Sequence, residues 1–159
     1  AQRALDAAND EAALRPLLEL PEVASKAALR LGHLLLTAGQ GDEALEVLAR
    51  VTGDDAPAAD ALRRQAAFAL DAAAYGGEAR ARAVLRETPD DADAQWALAS
   101  AQAAQGDLAA ALEGFLGLVA AHRRYRDDGA RKALVTLFDA LGPQHALTRE
   151  YRRRLQILL

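Results

Sequence analysis

The chain has 159 residues, a formal net charge of −4 and no cysteine. That length suits one domain with a real core or one short repeat array, and the missing cysteines exclude disulfides, thiolate chemistry and Cys-ligated zinc. The acidic balance argues against a general nucleic-acid binder. The 41 alanines and 27 leucines stand against 6 valines, 1 isoleucine and 5 threonines. Strands draw on β-branched and aromatic residues and helices on Ala and Leu, so the fold class is all-α.

No apolar run approaches the ~20 residues that span a bilayer, and no signal peptide opens the chain. With no mark of an oxidising compartment, a soluble, cytoplasmic protein is expected, without membrane contact. The absence of methionine reads as a piece of a longer protein.

In chain order, 1–20 reads as one or two short leading helices, broken at Asn9–Asp10. Next, "LGHLLLTAGQGDEALEVLARV", 31–51, aligns without gaps to "LASAQAAQGDLAAALEGFLGL", 98–118. In each, a helix with a small residue at its second position (Gly32, Ala99) reaches a glycine (Gly39, Gly106). A second helix then carries Ala and a large apolar residue four apart: Ala44 and Leu48, Ala111 and Phe115. The glycines end the first helices, where a positive φ is often needed, and Asp42 and Asp107 are expected to cap the second ones. Small residues let the paired helices touch. The carboxylate pairs Asp54–Asp55 and Asp90–Asp91 also stand where helices begin, and capping is the expected role.

The two units lie 67 residues apart, close to twice the 34 residues of the tetratricopeptide repeat, which they resemble. A degenerate unit, 61–91, with a Gly76–Gly77 break and a short second helix, fills the gap. The boundaries are then 1–20 leading helices, 22–57 repeat, 58–90 degenerate repeat, 91–122 repeat and 127–159 a capping hairpin. In that hairpin, Asp127 and Asp128 are expected to cap a helix that stops at Gly142–Pro143. The last helix, about 145–158, puts Leu147, Tyr151, Leu155 and Leu158 on one inward stripe. Terminal repeats need caps because each unit otherwise leaves an apolar face exposed.

No catalytic constellation is found. His33, His122 and His145 lie in three regions without ligand spacing, Ser25 and Ser100 lack a nucleophile-elbow context, and no phosphate loop occurs. No metal, cofactor or enzymatic activity is expected, and function is sought in surfaces. The repeat resemblance implies that first helices line a concave groove. Lys26, Leu29, His33 and Leu36 face it in one unit, and Asp93, Trp96, Ser100 and Ala103 in the other. Trp96, the only tryptophan, is either an exposed anchor for an extended peptide or packed beneath a neighbouring helix. Some tetratricopeptide proteins clamp a terminal carboxylate with Lys and Asn; Leu29 and His33 occupy two such positions, so that clamp is not supported. The basic stretches "HRRYRDD", 122–128, and "REYRRR", 149–154, interleave Tyr125 and Tyr151 in the manner of a nucleic-acid site. Asp127, Asp128 and Glu150 dilute them, and no nucleic-acid partner is expected.

The stretch "YRDDGARKALVTLFDALGPQHALTREYRRRLQILL", 125–159, resembles the end of the bacterial thioredoxin-like co-chaperones of the CnoX/YbbN family. Arg124, Tyr125, Asp127, Ala130, Arg131, Lys132, Leu134 and Leu137 match that family's pattern. So do Leu141, Gly142, Tyr151, Arg152, Arg153, Arg154 and Leu155. An Asp-Pro pair common before the last helix is replaced by Gln144–His145, which puts the helix start in question. The resemblance is good over 89–159 and rests on the repeat pattern alone before that.

It implies a holdase that binds unfolding protein clients and docks on the GroEL chaperonin through its last helix. A thioredoxin-fold domain is expected to precede this segment and to hold any redox activity. The docking residues carried over are Arg152, Arg153, Arg154, Leu155, Ile157, Leu158 and Leu159. Two alternatives remain: a generic tetratricopeptide scaffold with a peptide in its groove, or the accessory domain of a thioredoxin-type disulfide reductase.

Overall fold

The computed structural model describes residues 1–159 as ten α-helices, two 3-10 turns and no strand. The helices are α1 (Gln2–Ala7), α2 (Glu11–Leu14), α3 (Ala24–Thr37), α4 (Gly41–Leu48), α5 (Ala56–Tyr75), α6 (Glu78–Glu87), α7 (Ala92–Ala104), α8 (Leu108–Ala121), α9 (Gly129–Leu141) and α10 (Ala146–Leu158). The chain falls into two compact units, Ala1–Leu70 and Asp71–Leu159, with the boundary inside α5.

In the first unit, Asp10 starts α2 by accepting from the Ala13 amide at 2.8 Å. The core joins Leu5, Leu14, Leu17, Leu18, Val23, Leu31, Leu35, Val47 and Leu48, all buried. The α3–α4 pair closes as the sequence implies. Gly39 takes φ 78° after α3, a conformation glycine adopts without a Cβ penalty. A Cβ on Gly32 would lie 2.5 Å from Leu48 Cγ, so only glycine lets α4 sit this close. Asp42 does not cap α4. The N-cap is Gln40, which makes no side-chain cap bond, and Asp42 lies inside the first turn. There its charge meets the helix dipole and no orphan amide.

In the second unit, α7 and α8 repeat the arrangement. Ala111 and Phe115 are fully buried, like Ala44 and Leu48 in the first unit. A Cβ on Gly114 would approach the Ala99 Cβ to 2.9 Å, so here too a small residue sets the helix spacing. Gly106 has φ 83°. Asp107 caps α8 through the Ala110 amide and Asp91 caps α7 through the Ala94 amide. Asp55, in the first unit, instead lies in a 3-10 turn and accepts from the Ser25 hydroxyl at 3.3 Å. The glycines Gly76 and Gly77 separate α5 from α6 with φ 106° and 90°. Helix α5 runs for 20 residues from Ala56, starting earlier than the degenerate repeat's expected first helix.

Two corrections concern the end of the chain. Asp128 precedes α9 but its side chain takes Arg131, not a backbone amide, while Asp127 faces Lys132. Both sit with Arg126 at φ between 51° and 64°, where an L-residue costs about 1–2 kcal/mol. Helix α10 packs chiefly on α8 and less on α9, so the expected α9–α10 hairpin is loose. Its start is settled by His145, whose Nδ1 accepts from the Leu147 amide at 3.1 Å.

Candidate functional site

In the first unit, α3 presents Leu29 and His33 to an apolar cleft of about 550 Å3. Ala8, Asn9 and Leu14 form one wall of it and Ala58, Ala61 and Leu62 another. Arg30 fixes the first wall by donating to the Leu5 carbonyl at 2.5 Å. Lys26 is exposed and Leu36 half-buried, and neither lines the cleft. The leading helices thus take part in the surface, a role their short, irregular sequence did not signal.

In the second unit, three of the expected groove residues are not a surface at all. Trp96 is 7% exposed, Ser100 is fully buried and Ala103 is buried. The exposed-anchor reading of Trp96 is therefore corrected. The physical reason is the α8–α9 connection, which folds over α7. Phe115 meets the indole edge-on at 5.1 Å and Tyr125 at 6.0 Å, with the Arg126 guanidinium 4.8 Å from its ring. The indole Nε1 donates to Asp71 at 3.3 Å. Asp93 alone stays exposed, and it accepts from the Tyr125 hydroxyl. Burial, then that bond to Asp93, pushes the Tyr125 phenol above its ordinary pKa. The Ser100 Oγ has no hydrogen-bond partner.

On α10, the residues expected to dock divide into two sets. Tyr151 and Leu155 are buried, and Arg154 pairs with Glu113 of α8, which also accepts from the Tyr151 hydroxyl at 2.6 Å. The Arg154 guanidinium, then the Tyr151 hydroxyl, hold the Glu113 carboxyl down to about 2. Arg154 and Leu155 are thus committed to holding the helix. Arg152 lies 5.6 Å over the Phe138 ring, and Arg153 is exposed. Leu158, expected inward, is 37% exposed, and Ile157 and Leu159 reach 79% and 56%. The last turn lies beside the end of α8 without closing on it. Ile157, Leu158 and Leu116 line a cleft of about 400 Å3 between α8 and α10.

Antiparallel helix pairs held in close contact at Gly32 and Gly114 define a helical repeat. The tetratricopeptide repeat family matches residues 71–159, the second compact unit and more than half of the chain. The chain belongs to the tetratricopeptide-repeat family, whose members act as protein-interaction scaffolds. No curated protein and no solved structure matches it. No helix is long and apolar enough to cross a membrane.

Proposed function

We propose that the chain is the protein-binding domain of a thioredoxin-like holdase co-chaperone, acting in the cytoplasm and docking on the GroEL chaperonin through α10. The observation that carries this reading is the last turn of α10. Tyr151 and Arg154 anchor the helix on α8 and Leu155 is buried, yet Ile157 and Leu159 stand 79% and 56% exposed beside Arg153. An apolar end rimmed by arginine suits a protein partner. The resemblance of 89–159 to the co-chaperone family supports the same assignment. Unfolding clients would meet the apolar cleft of the first unit. The domain contributes binding only, and any redox chemistry would belong to a thioredoxin-fold domain.

Chaperonin capture by the chain and by an Ile157→Asp, Leu159→Asp variant tests this, because neither side chain is part of the core. Loss of capture in the variant is the expected result. Equal capture by both removes the docking role of α10.

A second reading, a scaffold holding a peptide in its groove, is favoured by the first-unit cleft around Leu29 and His33. A panel of hydrophobic peptides binding the chain but not a Leu29→Asp variant, with no chaperonin capture, would select it.

A further inference from the structure

The covered face of α7 has the composition of a binding site. Trp96 and Tyr125 offer two aromatic rings, and two carboxylates border them: Asp71 on the indole nitrogen and Asp93 on the phenol. Neither carboxylate forms an ion pair. The group seated there is a guanidinium, with Arg126 Cζ 4.8 Å from the Trp96 ring and 5.6 Å from the Tyr125 ring. Its Nε donates to the Tyr125 hydroxyl at 3.1 Å. Cations are drawn to the faces of such rings, Trp above all, and arginine adds planar stacking.

We propose that Trp96, Tyr125 and Asp93 form a site for an arginine side chain of a protein partner, and that Arg126 occupies it as a displaceable stand-in.

Arg126 is an ill-suited permanent occupant. It holds φ 51°, and Asp127 and Asp128 follow it at 53° and 64°, three successive non-glycine residues in the left-handed region. Such strain persists only where the surroundings enforce it, and it gathers at ligand clamps and switches. A partner's arginine would make the same ring contacts without it. Gly129 completes the seat: a Cβ there would strike the Arg126 Cβ at 2.8 Å and touch the Trp96 ring at 3.6 Å. One turn beyond Trp96, on the same face of α7, the Ser100 hydroxyl is buried without a partner. The site involves α7 and the α8–α9 connection, not α10, so it is independent of chaperonin docking.

Trp96 is the only tryptophan, so its emission reads the site directly. The probe is the capped peptide Gly-Arg-Gly-Arg-Gly, titrated into the full chain and into Arg126→Ala, with a citrulline-for-arginine peptide as the uncharged control. A site kept about nine-tenths self-occupied weakens a competitor about tenfold. Arg126→Ala is therefore expected to show red-shifted emission that the arginine peptide reverses, at a concentration about tenfold below that needed by the wild-type chain. The citrulline peptide leaves the emission unchanged, and adding Asp93→Asn weakens the response. Arg126→Gln carries the same test if Arg126→Ala loses its helical circular dichroism. Equal half-saturation for wild type and variant, no response in either, or an equal response to citrulline overturns the proposal.

Discussion

Arg154 of α10 grips Glu113 of α8 with two hydrogen bonds, 2.7 and 2.9 Å long, and the Tyr151 hydroxyl donates to the same carboxylate. Three side chains thus meet at the join between the last helix and the rest of its unit. The Glu113 side chain is still 58% exposed, so water and salt screen the pair and its contribution is modest. Replacement by Gln is expected to cost about 1 kcal/mol or less. Because the carboxyl pKa falls from 4.5 to about 2 on folding, the contribution is complete above pH 4.5. It is lost as the pH falls toward 2. Urea midpoints of wild type and Glu113→Gln should differ at pH 7 and converge across that acid range. A constant difference would mean the carboxylate charge is not what holds α10.

Two helical glycines should respond in opposite ways to alanine. Gly32→Ala drives a methyl into Leu48, and such overpacking costs about 1–3 kcal/mol. Gly117 has nothing within 4 Å of an added Cβ, so Gly117→Ala should gain about 0.5–1 kcal/mol from helix propensity. Thermal melts of the two variants would diverge in sign; a stabilised Gly32→Ala would contradict the close α3–α4 approach.

The N-cap of α4 invites a graft. Gln40 has φ −94° and ψ 60°, near the −80° and 73° of Asp107, yet only Asp107 bonds a helix amide. Gln40→Asp should therefore add about 0.5–1 kcal/mol. It gives up only a 3.3 Å contact to Glu43. An unchanged denaturation midpoint would show that the two caps are not equivalent.

The strained connection before α9 offers a fourth stability test. Asp127 has φ 53°, and its pairing to Lys132, at 3.5 Å, is long and exposed. Asp127→Gly should stabilise by about 0.5–1 kcal/mol, the relief of the left-handed strain less the added chain entropy of glycine. Chemical denaturation checks this, and a loss of stability would place the strain elsewhere.

The residues themselves show which features the sequence carried. Gly39 and Gly106 were legible because a helix end that needs positive φ selects glycine, and both have it. The Ala44–Leu48 and Ala111–Phe115 pairs were legible from their spacing, and all four are fully buried. Asp42 misled because an acid two positions inside a helix resembles a cap when the true N-cap, Gln40, is a poor one. Trp96 was ambiguous for a different reason. Its cover is supplied by Tyr125 and Arg126, about 30 positions away, and the positive-φ stretch that brings them back, Arg126 to Asp128, contains no glycine to mark it. Leu158 followed the inward stripe in spacing, but a stripe does not reveal how closely the neighbouring helix packs, and a cleft separates Leu158 from α8.

The position of Trp96 also makes the protein half silent to one spectroscopy. The sole indole lies in α7, within Asp71–Leu159, and Ala1–Leu70 contains neither Trp nor Tyr. Intrinsic emission therefore follows the melting of the second unit alone, whereas far-ultraviolet circular dichroism follows both. Coincident curves from the two probes would show the units melting as one cooperative body, and separated curves would date the loss of each without labelling either.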